Sequence, residues 1–445
     1  MQSEVKVFSY PGGEIQRVQL VRWNDWQQLE FLRPAPAVDA FASFCHIYKT
    51  FLVPACPWVF GQLVLFRLPD DLPLDFSFQT RYGTVADPLT AAAAALRSGV
   101  TLRGGKPVFR NETVRRFWQQ LQQRSCVQIV RGKLPFTQII PVGNTAGYLT
   151  QTHSNAALKV NASFFIMDSF DCATVYDHVG THFGLWVKDG VVQSPPLYGR
   201  EALLVKADGS VAVARPTLQQ LQIEVGGSRY CPGSNAVVYT RPQYAKTPND
   251  ATTMLVIIGC RVAAVCHGGS VPVPASGFVL CVPDAAVQPG DAVIYHGMED
   301  VLFGIQVGNS ILRGGVKTEH FLSPFYNIRK LQPVPYPPSL YPMDFQNARA
   351  ARIALGADAQ GKPMLLWAEG AAKLGYVPGK DSRGASLADM ARICSEMGMV
   401  NAVNLDGGGS AQILLNGRRS LQISDRSLQS GAEAERPVPL GLMVQ

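Results

Sequence analysis

Several things are missing from this 445-residue chain, and each absence removes a class of protein. No apolar run approaches the twenty or so residues a membrane helix needs; the most continuous, around Met254 to Gly259, is far too short. The start, Met1-Gln2-Ser3-Glu4-Val5-Lys6, lacks the positive region and apolar core of a secretory signal, so localisation is left open, cytoplasmic by default. Cys-x-x-Cys pairs are absent, and the nine cysteines are scattered and odd in number, which suggests neither a zinc site nor a disulfide framework. Free thiols of this kind fit a reducing compartment. Long basic runs are also absent: 40 Lys and Arg against 33 Asp and Glu leave +7, spread thinly, so no nucleic-acid partner is expected. Charged residues make up only 16% and hydrophobic ones 47%, the balance of a packed globular protein and not a disordered one.

What is present centres on Asn404-Leu405-Asp406-Gly407-Gly408-Gly409-Ser410. An apolar run from Met399 ends in a carboxylate and three glycines, then apolar residues resume at Ala411. Three consecutive glycines imply positive φ or close backbone approach. Two readings stay open: a plain hairpin turn, or a loop whose amides form a nest for an anion or a sugar oxygen. Upstream, Ser386 and Asp389 fit a capping box, and Leu387, Met390, Ala391, Cys394 and Met397 recur at helical spacing before Gly398. Met364 to Trp367 reads as a buried strand ending in Ala368-Glu369-Gly370. Strand, helix, strand favours two parallel strands joined by a right-handed crossover. Glu369 and Asp406 then fall on one sheet edge, where open α/β sheets bind ligands. They form a candidate acid/base pair.

These residues resemble the phosphodiester glycosidase family, through Asn404 to Ser410 together with the distal Glu435-Arg436-Pro437-Val438-Pro439. Val160-Asn161-Ala162-Ser163-Phe164-Phe165 looks like the family's Asn-Gly-Gly-Phe-Phe segment. Gly308 to Leu312 and Arg352 to Gly356 look like two further family segments, and the resemblance spans roughly residues 125–445. It implies a hydrolase that cleaves a glycosidic bond in a sugar 1-phosphodiester or related glycoside, with Asp406 and Glu369 catalytic. The substrate side implied is Asn161, Phe164, Arg352, Asn404, Gly407, Gly408, Gly409, Ser410 and Arg436, with no metal and no cofactor. Where the family reads Asp-Gly-Arg, this chain has Glu369-Gly370-Ala371. The missing arginine would be a bidentate phosphate partner, so an uncharged glycoside is expected to be turned over at least comparably. The alternative is a non-catalytic carbohydrate-binding protein that keeps the fold.

Elsewhere the chain reads as α+β: a mixed sheet with helices packed on it and a C-terminal strand-helix-strand unit. Residues 1–124 form a region of no assigned role, with a strand at Gln62 to Phe66, a helix near Ala91 to Leu96 and another capped by Asn111. Hairpins are expected at Asp189-Gly190 and Asp208-Gly209, strands at Ala156 to Val160 and Thr253 to Gly259, and an extended crossover over the proline-rich Pro333 to Pro342. His178 and His182, with Asp168, Asp171 and Asp177, suggest either a metal or sugar cluster or ordinary loop caps. Arg436 has Glu433 and Glu435 as candidate partners.

Overall fold

The computed structural model describes residues 1–35, 61–67, 78–80, 83–85, 88–132, 138–141, 146–152, 155–166, 172–241, 243–283, 286–319, 348–371, 376–426 and 430–445. The crossover expected at 333–342 and residues Asp168 and Asp171 lie outside them. The fold is α+β and rich in strands, with few helices.

Two sheets frame the carboxylates, and both carboxylates lie at strand ends of the larger one. From the N-terminal region come β1 (Gln2–Ser9), β2 (Ile15–Arg22) and β3 (Leu29–Leu32). Further along are β4 (Leu158–Asn161), β5 (Ser310–Arg313), β6 (Val316–Lys317), β7 (Arg352–Ala357) and β8 (Pro363–Ala368). The last are β9 (Asn401–Asn404), β10 (Ile413–Leu415) and β11 (Gly441–Val444). The seven-stranded sheet runs β1-β2-β8-β7-β9-β5-β6, and a four-stranded sheet runs β10-β4-β11-β3. Residues 2–32 are thus woven into the sheets of the C-terminal half, whereas Pro88–Gly99 (α1) and Glu112–Gln123 (α2) pack on a separate small sheet that includes Gly61–Phe66. Asn111 Oδ1 accepts from Val114 N at 2.9 Å and caps α2.

Alternation along β8 explains its unbroken apolar sequence, because both faces are covered. Leu365 and Trp367 face a core shared with Leu158, Val160, Ile413 and Leu442 of the second sheet. Met364, Leu366 and Ala368 face Leu387, Met390 and Cys394 of helix α3 (Leu387–Glu396). Ser386 and Asp389 close a capping box at one end of α3. At the other end Met399 N bonds Cys394 O at 2.9 Å and Gly398, at φ 90°, supplies the left-handed residue of a Schellman stop. Hairpins form at Asp189-Gly190 and Asp208-Gly209 as expected.

One expectation holds with an added strand, and one needs correction. β8 and β9 run in the same direction but are not neighbours: β7 lies antiparallel between them, so their spacing is two strand widths, roughly 9.5 Å. The glycine stretch is not a hairpin turn either. β9 belongs to the seven-stranded sheet and β10 pairs with β4 in the other, so residues 405–412 carry the chain from one sheet to the next.

Candidate active site

The start of β7 separates the two carboxylates. Ala351 O accepts the Gly408 amide at 2.8 Å on one side, and a Cβ on Gly370 would come within 2.7 Å of Ala351 N on the other. Segment 421–426 packs against both turns. Ser424 Oγ sits where a Gly370 Cβ would lie, and Asp425 sits where a Gly409 Cβ would lie.

Asp406 is buried at the end of β9, and its backbone is pinned on both sides: its amide donates to Ala162 O at 2.9 Å and its carbonyl accepts from Asn161 Nδ2 at 2.7 Å. Its carboxyl faces the Ser410 hydroxyl, the Gly407 amide and the guanidinium groups of Arg436 and Arg352. Burial outweighs those favourable contacts and pushes the carboxyl up to about 7. A carboxyl with that value holds a proton near neutral pH and can release it.

Glu369, buried at the end of β8, has a separate set of partners. Oε1 accepts from Gln422 N at 2.8 Å; Oε2 accepts from Ser382 Oγ and pairs with Arg17 Nη1 at 3.1 Å. Arg17, on β2 and about one-third exposed, therefore puts a guanidinium beside the carboxylate although Ala371 cannot. No motif in residues 1–124 announced it.

The positive side of Asp406 is built from two buried arginines. Arg436 makes a bidentate pair with Asp425, Nε to Oδ2 at 2.9 Å and Nη2 to Oδ1 at 3.3 Å, and Nη1 donates to Ser410 Oγ at 3.4 Å. Its partner is neither Glu433 nor Glu435; Glu435 instead takes Thr150 N and Oγ1. Arg352 donates from Nε to Ala385 O and from Nη2 to Ala348 O.

The three glycines differ in what surrounds them. A Cβ on Gly407 would meet Ala351 O at 2.6 Å. Gly408 has φ +60° and open space around it. A Cβ on Gly409 would overlap the Arg436–Asp425 pair at 2.2 Å. Asn161 uses its whole amide on this loop, Nδ2 on Asp406 O and Oδ1 on Gln412 N at 3.0 Å, so it positions the turn. Asn404 Nδ2 donates to Leu405 O, while its Oδ1 is buried without a partner among the described residues. Gly308 N bonds Asn404 O at 3.0 Å, which brings the Gly308 to Leu312 segment against the same strand end. Phe164 is half-buried, and the Arg200 guanidinium lies 5.7 Å from its ring centroid.

The histidine and aspartate cluster divides. Asp177 is fully buried and accepts bonds from Ala173 N, Thr174 N, Ala275 N and Ser276 N, a loop staple of the capping kind. Among the described residues no group of three or more His, Cys, Asp or Glu is placed to hold a metal ion, and no helix is long and apolar enough to cross a membrane.

Comparison with known proteins singles out the same end of the chain. Residues 325–445 match the family described as phosphodiester glycosidase. The N-acetylglucosamine-1-phosphodiester alpha-N-acetylglucosaminidases of Mus musculus and Homo sapiens are each 40% identical over 81 residues. That is 18% of this chain and 14% of theirs, so the match spans about one-seventh of the relatives' length. Among solved structures, the zebrafish N-acetylglucosamine-1-phosphodiester alpha-N-acetylglucosaminidase catalytic domain aligns over 100% of this chain and 82% of its own, at 12% identity and TM-score 0.38. A putative exported protein from Burkholderia pseudomallei K96243 aligns over 99% and 96%, at 16% identity and TM-score 0.40. Over residues 325–445, which hold both carboxylates and the glycine loop, the chain is a match to the phosphodiester glycosidase family.

Proposed function

We propose that this protein hydrolyses the glycosidic bond of a sugar 1-phosphodiester or a related glycoside, with Asp406 as the proton donor. The observation that carries the reading is the Asp406 carboxyl, buried between Ser410, Arg436 and Arg352 and pushed up to about 7. A general acid works best with its value near the operating pH. In the proposed step the leaving oxygen takes the Asp406 proton as the bond to the anomeric carbon breaks. Water adds its oxygen to that carbon and passes a proton to Glu369, the second carboxylate such chemistry uses. Arg352, Arg436, the Ser410 hydroxyl and the Gly407 amide hold the Asp406 carboxyl, substrate oxygens approach the open space at Gly408 and the Gly409 amide, and Phe164 offers a sugar face. Asn161 and Asn404 act one step back, by fixing the backbone on which Asp406 sits.

One observation favours a second reading, carbohydrate binding without turnover: both oxygens of Glu369 already accept from protein donors. A panel of aryl glycosides and sugar 1-phosphodiesters separates the two. Hydrolysis by the wild type, with Asp406→Asn and Glu369→Gln each at least a hundredfold slower while folded, supports the enzyme. Saturable binding with no turnover on any substrate supports the binder.

A further inference from the structure

A cavity of about 300 Å³ opens beside His182, outside the residues of the candidate active site. Its wall includes Arg33, Arg261, His182, Trp186, Ser194 and Ser276. Pro439 lines it as well and ties it to the candidate active site. The next residue, Leu440, accepts the Ala162 amide at 3.0 Å, and Ala162 O accepts the Asp406 amide at 2.9 Å. On the other wall His182 bridges to Phe165, three residues beyond Ala162.

The chemistry of the wall has one sign. Arg33 and Arg261 are both exposed, neither forms an ion pair with a described residue, and no carboxylate is among the described residues lining the cavity. An arginine fork matches the oxygens of a phosphate or carboxylate, and two forks with no acidic partner leave a net positive recess. Trp186 is buried, and its indole N–H has no acceptor among the described residues. Arg33 lies over its ring at 5.7 Å and His182 stacks on it at 3.9 Å between centroids. Burial, with help from the Arg33 charge, holds His182 down at about 3, so its ring is neutral and offers one N–H and one lone pair. Ser194 adds a hydroxyl, whereas that of Ser276 already donates to Asp177 Oδ1 at 2.7 Å. A volume at the low end of small-molecule pockets fits one ring with one charged group.

We propose that this cavity is a ligand subsite for a monosaccharide bearing an oxyanion, with Arg33 and Arg261 holding the anion. The subsite goes beyond the reading of Asp406 as part of a sugar-processing site and does not rest on it. Its existence is tested by binding alone. Isothermal titration of the full chain with glucose 1-phosphate, glucuronate and glucose distinguishes a phosphoryl from a carboxylate ligand and both from an uncharged ring. The expected result is saturable binding of at least one anionic sugar, at least tenfold tighter than glucose and weakened by added salt. Arg33→Met and Arg261→Met are each expected to weaken it about tenfold or more, and since both side chains are exposed the variants are expected to melt with the wild type. Asp406→Asn is expected to bind as the wild type does, so a failed catalytic assignment leaves this result standing. Absence of binding by either anionic sugar, or wild-type affinity in both arginine variants, overturns the subsite.

Discussion

Arg436 and Asp425 close a buried ion pair in the space a Cβ on Gly409 would fill. The pair and the glycine therefore define one another, and the loop beside Asp406 is held by charge. Removing one partner of a buried pair typically costs about 3–5 kcal/mol, because the other charge is left stranded. Asp425→Ala and Arg436→Met are each expected to destabilise on that scale. The double variant should lose clearly less than their sum, as read by denaturant unfolding in a double-mutant cycle. Additive losses would mean the two side chains do not act as a pair.

The three glycines should respond to alanine in a set order. Gly408→Ala meets no neighbour and suffers only its positive φ, about 1–2 kcal/mol. Gly407→Ala must push Ala351 O aside, and Gly409→Ala must displace the ion pair, so both should lose more. Thermal melts of the three variants check this, and Gly409→Ala melting above Gly408→Ala would contradict it.

Asp406 makes stability fall with rising pH. Its folded value, about 7, lies above the ordinary 3.8, so the folded state binds the proton more tightly than the unfolded one. Its contribution is complete below about pH 4 and is lost as pH rises through about 7. Relative to wild type, Asp406→Asn should show a flatter stability profile between those limits in denaturant titrations. Parallel profiles would place the carboxyl in an ordinary environment.

Arg17 tests the other carboxylate. The guanidinium is partly exposed, so loss of its ion pair should cost less than about 1 kcal/mol. Arg17→Met is expected to melt near wild type while turnover falls about tenfold, because Glu369 loses the cation that orients it. A kinetic constant unchanged in a folded variant would make the pair a surface contact only.

How much of this was legible depends on distance along the chain. β8 and α3 could be read directly, since a strand covered on both faces is apolar throughout and a capping box with Gly398 marks the helix ends. The shared direction of β8 and β9 could be read too. The intervening β7 could not, because it precedes both and nothing in its own sequence declares where it inserts. The glycines signalled close approach, but what approaches is Ala351 O at Gly407 and the Arg436–Asp425 pair at Gly409, and Asp425 stands in a loop with no spacing of its own. Sequence proximity offered Glu433 and Glu435 as partners for Arg436, but the fold brings Asp425 to it. Arg17 is 352 residues from Glu369, in a stretch with no motif.

The proton-donor role of Asp406 is tested most directly with two glycosides that differ only in their leaving group, one a good leaving phenolate and one a poorly leaving alkoxide. A general acid matters most where the departing oxygen most needs a proton. The account predicts that Asp406→Asn slows the poor leaving group at least a hundredfold more than the good one, with the variant folded at the assay temperature. Equal slowing of both, or wild-type rates on the poor one, would contradict it.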